Sequence, residues 1–119
     1  MKKLVAALCV LGTTAPLLAE ERVLFGPEID DLLPGIVALG VGEETVQTFS
    51  ASGSTEYVAS GRASVGKWWV TATQYCSSWP PASGSACYDV VLDNNVTPAR
   101  LSWVGESGRP IHNIIGEKE

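Results

Sequence analysis

The sequence predicts an all-β fold, a small antiparallel meander that forms a barrel or a sandwich of about six or seven strands, with one disulfide and a short N-terminal helix. Three observations predict it. Short apolar or alternating runs are separated by Gly, Ser and Asn turns at a spacing of about 8–12 residues. Nothing from Gly35 to Gly66 carries helical periodicity. The stretch Trp68–Leu92, WWVTATQYCSSWPPASGSACYDVVL, reads as strand, closed loop, strand, with Cys76 and Cys87 placed to pin the loop.

The first residues read as a signal peptide. Met1-Lys2-Lys3 is a short basic start and Leu4–Leu11 is apolar. Gly12 and Pro16 follow, and small Ala19 fits the position before a cleavage. A transmembrane anchor would need roughly 20 apolar residues, and this run is shorter and flanked by Glu20-Glu21. Cys9 sits inside the apolar run and leaves with it. The expected organisation is residues 1–19 as signal peptide and 20–119 as a single β domain. The short basic start and simple signal are those of a bacterial protein of the periplasm or the medium. Two cysteines remain after cleavage, and an even count in an exported chain reads as a Cys76–Cys87 disulfide.

Glu20–Gly26 is a polar lead-in carrying Val23 and Leu24. Pro27, acids in the first turn, Leu32-Leu33 and a Pro34-Gly35 stop describe a short helix or an irregular loop; a helix here can plug one end of a barrel. Ile36–Val41 is an apolar strand bounded by glycines, and Gly42-Glu43-Glu44 is a turn. Thr45–Ser50 alternates, with Thr45, Gln47 and Phe49 opposite Val46 and Thr48. After the turn Ser52-Gly53-Ser54, Thr55–Ala59 is a strand, and Ser60–Gly66 is a strand end or a loop.

In the central hairpin, Cys76 opposite Cys87 sets Tyr75 against Tyr88, Gln74 against Asp89 and Thr73 against Val90. One face then carries Trp69, Thr71, Thr73, Tyr75, Tyr88, Val90 and Leu92, and the other Trp68, Val70, Ala72, Gln74, Asp89 and Val91. The first face is the more aromatic and is the expected core side. Asp93-Asn94-Asn95 is a turn. Asn95-Val96-Thr97 matches a glycosylation sequon, which carries little weight with Pro98 next to it in a chain of bacterial appearance. Ala99–Val104 is a strand with Leu101 and Trp103 on one side. A turn at 105–108 leads to a last strand, Ile111–Ile115.

Without Lys2 and Lys3, the 8 basic side chains fall to 6 against 13 acidic ones, a net charge of −7. This balance disfavours nucleic acid and anionic membrane surfaces, so neither nucleic acid nor, after signal cleavage, a membrane is expected as a partner. The catalytic elbows, phosphate loops and zinc patterns are missing from the sequence. With both cysteines bonded, metal would rest on His112 and carboxylates, so neither a metal nor a cofactor is expected.

The candidate binding residues are Trp79, Trp69, Tyr75, Tyr88 and His112. Trp79 sits in the proline-bearing loop Ser77–Ala86. There it is either an exposed anchor for a partner or a lid folded back on the core. The aromatic load, Trp68, Trp69, Trp79, Trp103 and three tyrosines, either lines a ligand pocket or fills a small core. His112, the sole histidine, is a surface residue or the base of a cofactor-free enzyme working with Asp89 or Glu106. The reading that follows is a non-catalytic periplasmic module for a protein or small-molecule partner, with the His112 enzyme as the alternative.

Two resemblances bear on this. Gly66-x-Trp68-x-Val70, Tyr75-Cys76-Ser77-x-Trp79-Pro80 and Cys87-Tyr88-x-Val90 look like small exported proteins of proteobacteria with a Gly-rich β-meander and two cysteines flanking a loop. That resemblance covers the C-terminal half and implies fold and compartment, with no activity to carry over. The Pro80-Pro81 loop is similar to the loops of Bowman-Birk protease inhibitors, but it is longer and has one residue too few between Cys76 and Pro80.

Overall fold

Inward and outward residues alternate along a β-strand, so a meander with one apolar face can bury that face by curling into a closed barrel. The chain does this. The computed structural model describes residues 21–117, and the expected signal peptide lies outside them. In chain order the elements are β1 (Glu21–Val23), α1 (Gly26–Leu32) with a 3-10 turn at Leu33–Gly35, β2 (Ile36–Gly40), β3 (Thr45–Phe49), β4 (Ser54–Ala59), β5 (Arg62–Val70), β6 (Tyr75–Ser78), β7 (Ala86–Asp93), β8 (Arg100–Val104) and β9 (Pro110–Glu117).

Strands β2 to β9 pair antiparallel in sequence order, and β9 pairs back onto β2 with Ala38 opposite Ile115, closing eight strands into a barrel. β7 joins β6 through residues 86–88 and β8 through residues 89–93, a stagger of the kind barrel closure requires. β1 is an extra strand on β7, with Arg22 opposite Leu92.

Alternation gives the core. Phe49, Trp68, Tyr75, Val90, Leu101 and Trp103 point inward and are buried. Phe49 stands edge-on to Trp68 and to Tyr75, each at 5.9 Å between ring centroids. Such edge contacts add about 0.5–1.5 kcal/mol apiece beyond the area they bury.

One end is plugged. α1 starts with Pro27 inside the first turn, and Glu28 Oε1 accepts from the Phe25 N–H at 2.9 Å. Arg22 donates to the other carboxylate oxygen at 2.6 Å. These two donors hold the Glu28 carboxyl below its ordinary pKa, the backbone bond being the larger cause. Leu24, Ile29 and Leu33 then enter the core, with Ile29 and Leu33 wholly buried. The strap is seated by Leu24 N–H donating to Val90 O and Gly26 N–H donating to Ala72 O, both at 2.8 Å. A β-carbon on Gly26 would collide with the Thr71 carbonyl oxygen, so the close approach needs glycine.

The hairpin register holds at Tyr75–Tyr88 and Cys76–Cys87, and the disulfide is formed. The face expected upstream of it is corrected. Trp68 is buried and Trp69 is 41% exposed on the outer wall. The cause is a turn at 71–74 that splits the expected single strand into β5 and β6. Thr71 N–H donates to Gln74 O at 2.9 Å, and Thr71 Oγ1 accepts from Gln74 N–H at 3.0 Å. Trp68 thereby faces Ser77 and Trp69 faces Cys76. Thr71 and Thr73, expected inside, are exposed in this turn.

Candidate functional site

The barrel end away from α1 stays open and leads to a cavity of about 560 Å³. Its wall is made by the inward residues of nearly every strand. β2 gives Ala38 and Gly40, β3 gives Thr45 and Gln47, and β4 gives Tyr57. β6 and β7 give Tyr75, Ser77 and Tyr88, while β8 and β9 give Trp103, Ile111 and Asn113.

The floor is polar and ordered. Gln47 Nε2 donates to Thr55 Oγ1 at 3.0 Å and reaches the Tyr75 hydroxyl at 3.4 Å. Thr55 Oγ1 donates in turn to Thr48 O at 2.8 Å. Burial pushes the Tyr75 phenol above its ordinary pKa; the bonds to Ser77 and Gln47 only partly oppose this. Opposite, Trp103 Nε1 donates to Asn113 Oδ1 at 2.6 Å, and Asn113 Nδ2 donates to Leu39 O at 3.0 Å. Buried polar groups with satisfied partners resist rearrangement, so this floor is preorganised.

Trp79 forms part of the rim. It is half-buried, its ring edge-on to Tyr57 at 6.3 Å, and its Nε1 donates to Ser77 Oγ at 3.2 Å. It rests on Gly66, where a β-carbon would come within 2.6 Å of the ring. Of its two expected placements it takes the one folded back on the barrel. The chain then turns sharply, with Ala82 N–H donating to Trp79 O at 3.0 Å. Exposed Glu43, in the turn after β2, also lines the mouth.

Of the five expected site residues, the structure brings Trp79, Tyr75 and Tyr88 together in the cavity wall, with Tyr75 and Tyr88 ring centroids 6.2 Å apart. Trp69 lies on the outer wall. His112 touches the rim, but it alternates with inward Ile111 and Asn113, and its Nδ1 is 2.7 Å from Ser102 Oγ across the strand pair. Among the described residues no carboxylate lies within ion-pair distance of it, and Asp89 is engaged by Gln74 at 3.1 Å. Likewise, no group of three or more His, Cys, Asp or Glu side chains is gathered for a metal, and no helix is long and apolar enough to cross a membrane.

Gln47, Ser77, Asn113 and Glu43 are among the site residues that sequence reasoning did not single out. For Asn113 a signal was present, since it is a polar residue between Ile111 and Ile115 on the inward face of its strand, whereas Gln47 shares its face with Thr45 as well as Phe49. Comparison with protein-family profiles, curated proteins and solved structures finds no match.

Proposed function

We propose that this protein is an exported, non-catalytic binding module that holds a small amphipathic ligand in the open end of its barrel. The observation that carries the reading is the cavity of about 560 Å³ in a barrel plugged at the other end. Small-molecule sites are typically concave, mostly apolar and about 300–1,000 Å³, with a few placed polar groups. Here the apolar wall is aromatic and the polar groups are Gln47, Ser77 and Asn113. The Cys76–Cys87 bond supports an oxidising compartment, and with the basic-apolar start ending at Ala19 it supports the bacterial periplasm or the medium.

Native mass spectrometry of the protein purified from its own host tests this. The expected spectrum carries extra mass that leaves on denaturation, on a chain starting near Glu20. A bare chain, with no small molecule retained or taken up, contradicts the proposal.

A further inference from the structure

We infer that the cavity selects a small organic cation with an apolar body, such as an arylalkyl ammonium; this rests on the binding reading above. The first observation is the lining. Five aromatic rings, Tyr57, Tyr75, Trp79, Tyr88 and Trp103, surround the space, and Tyr75 and Trp103 approach to 4.9 Å between centroids. The faces of such rings are electron-rich and attract ammonium groups, which is how aromatic cages hold quaternary amines.

The second observation is charge. Among the described residues Glu43 is the one acid in the lining, and no lysine or arginine shares it; His112 stands at the rim. Arg109, the basic residue nearest the mouth in sequence, borders an adjoining cleft that shares Tyr88 and Ile111 with the cavity, and there it sits with Asp89 and Glu106. An anionic ligand would therefore meet no lysine or arginine in the wall itself, whereas a cation meets Glu43 at the mouth.

The third observation is the hydrogen-bond inventory. Gln47 spends its amide N–H on Thr55 and Tyr75, which leaves its Oε1 as an acceptor. The Trp79 and Trp103 N–H groups are already donated to Ser77 and Asn113. The lining thus offers ring faces and acceptors, with both indole N–H groups committed within the protein and the Tyr57 and Tyr88 hydroxyls beside them. A ligand that supplies positive charge and N–H or N–CH₃ groups matches the ring faces, the Gln47 acceptor and Glu43.

Three probes with a common phenylalkyl body separate the possibilities: 4-phenylbutyl-trimethylammonium, 4-phenylbutanol and 4-phenylbutanoate, titrated by tryptophan fluorescence and calorimetry. The expected order is the ammonium first, about tenfold tighter than the alcohol, with the carboxylate weakest. Glu43→Gln lies in an exposed turn and leaves the barrel intact. It should weaken the ammonium about threefold at low salt and leave the alcohol unchanged. If the alcohol or the carboxylate binds as tightly as the ammonium, the charge selection is wrong and the cavity remains a binding site. If none of the three binds, the binding reading falls with it.

Discussion

The indole of Trp79 lies directly over Gly66, at a distance that leaves no room for a β-carbon between them. This contact makes the loop after β6 part of the barrel rim rather than a free arm. It turns the residue with the strongest look of a surface anchor into a wall of the cavity, edge-on to Tyr57.

Gly66→Ala should therefore disturb the rim. The new methyl meets Trp79 at 2.6 Å and also presses on the Ser78 carbonyl. Overpacking of this kind costs about 1–3 kcal/mol, measurable as a lower urea midpoint, and the tryptophan emission should shift red as Trp79 lifts. Trp79→Ala should cost about 1–2 kcal/mol, less than the roughly 3–5 kcal/mol of a fully buried tryptophan, because the ring is half-buried.

The neighbouring tryptophans of β5 should behave oppositely. Trp68→Ala removes a buried ring whose Nε1 donates to Ser50 O at 2.9 Å, and should cost about 3–5 kcal/mol. Trp69→Ala, on the outer wall, should cost about 1 kcal/mol or less. Paired denaturation curves check this, and equal losses would mean that the two faces of β5 are assigned wrongly.

The disulfide closes a loop of about 12 residues, and its removal should cost on the order of 3 kcal/mol. The Cys76→Ser, Cys87→Ser double variant should melt well below the wild type, and adding reductant should lower the wild-type midpoint. Cys76 is fully buried and Cys87 half-buried, so a reductant should reach the bond from the Cys87 side.

Two groups give opposite pH signatures. Glu28 has a lowered pKa in the fold, so its contribution is present above the ordinary carboxylate value. It is lost as pH falls through the lowered one. Acid should loosen the α1 plug first, and Glu28→Gln should remove that sensitivity. Tyr75 has a raised pKa, so its contribution is complete below the ordinary tyrosine value of about 10 and is lost as pH rises through the folded value. Spectrophotometric titration should show one late phenol, absent in Tyr75→Phe.

The plug predicts a further loss. Ile29→Ala or Leu33→Ala empties a wholly buried site and should cost about 2–5 kcal/mol. Hydrogen exchange should then rise at the amides of Leu24 and Gly26 before those of β4.

Much of this fold was legible because strand alternation is a strong local signal. Thr45, Gln47 and Phe49 fall on one face as their spacing requires, and Leu101 with Trp103 does the same. Of the two readings that Pro27, the first-turn acid and Pro34-Gly35 left open, helix or irregular loop, the chain takes the helix. Two turns hid the rest. Ser60-Gly61, with φ of 53° and 78°, is a two-residue hairpin turn that makes 62–70 one full strand, where 60–66 read as either a strand end or a loop. The turn at 71–74 contains neither Gly nor Pro, only Thr71 capping it from its side chain, so the strand before Cys76 looked continuous. Those two turns raise the strand count to eight in the barrel, with β1 added by pairing that no local pattern announces. The cavity was legible only as an aromatic composition, since its shape depends on closure between β2 and β9, 74 positions apart at Leu39 and Asn113.

The most direct measurement of the central claim is an NMR titration with 4-phenylbutyl-trimethylammonium, reading contacts from the probe to assigned methyl groups. The cavity account predicts contacts to Ala38, Val41 and Ile111, which line the open end, and none to Val65 on the outer wall. Contacts confined to Val65, Trp69 or the α1 end, or no contact at saturating probe, would contradict it.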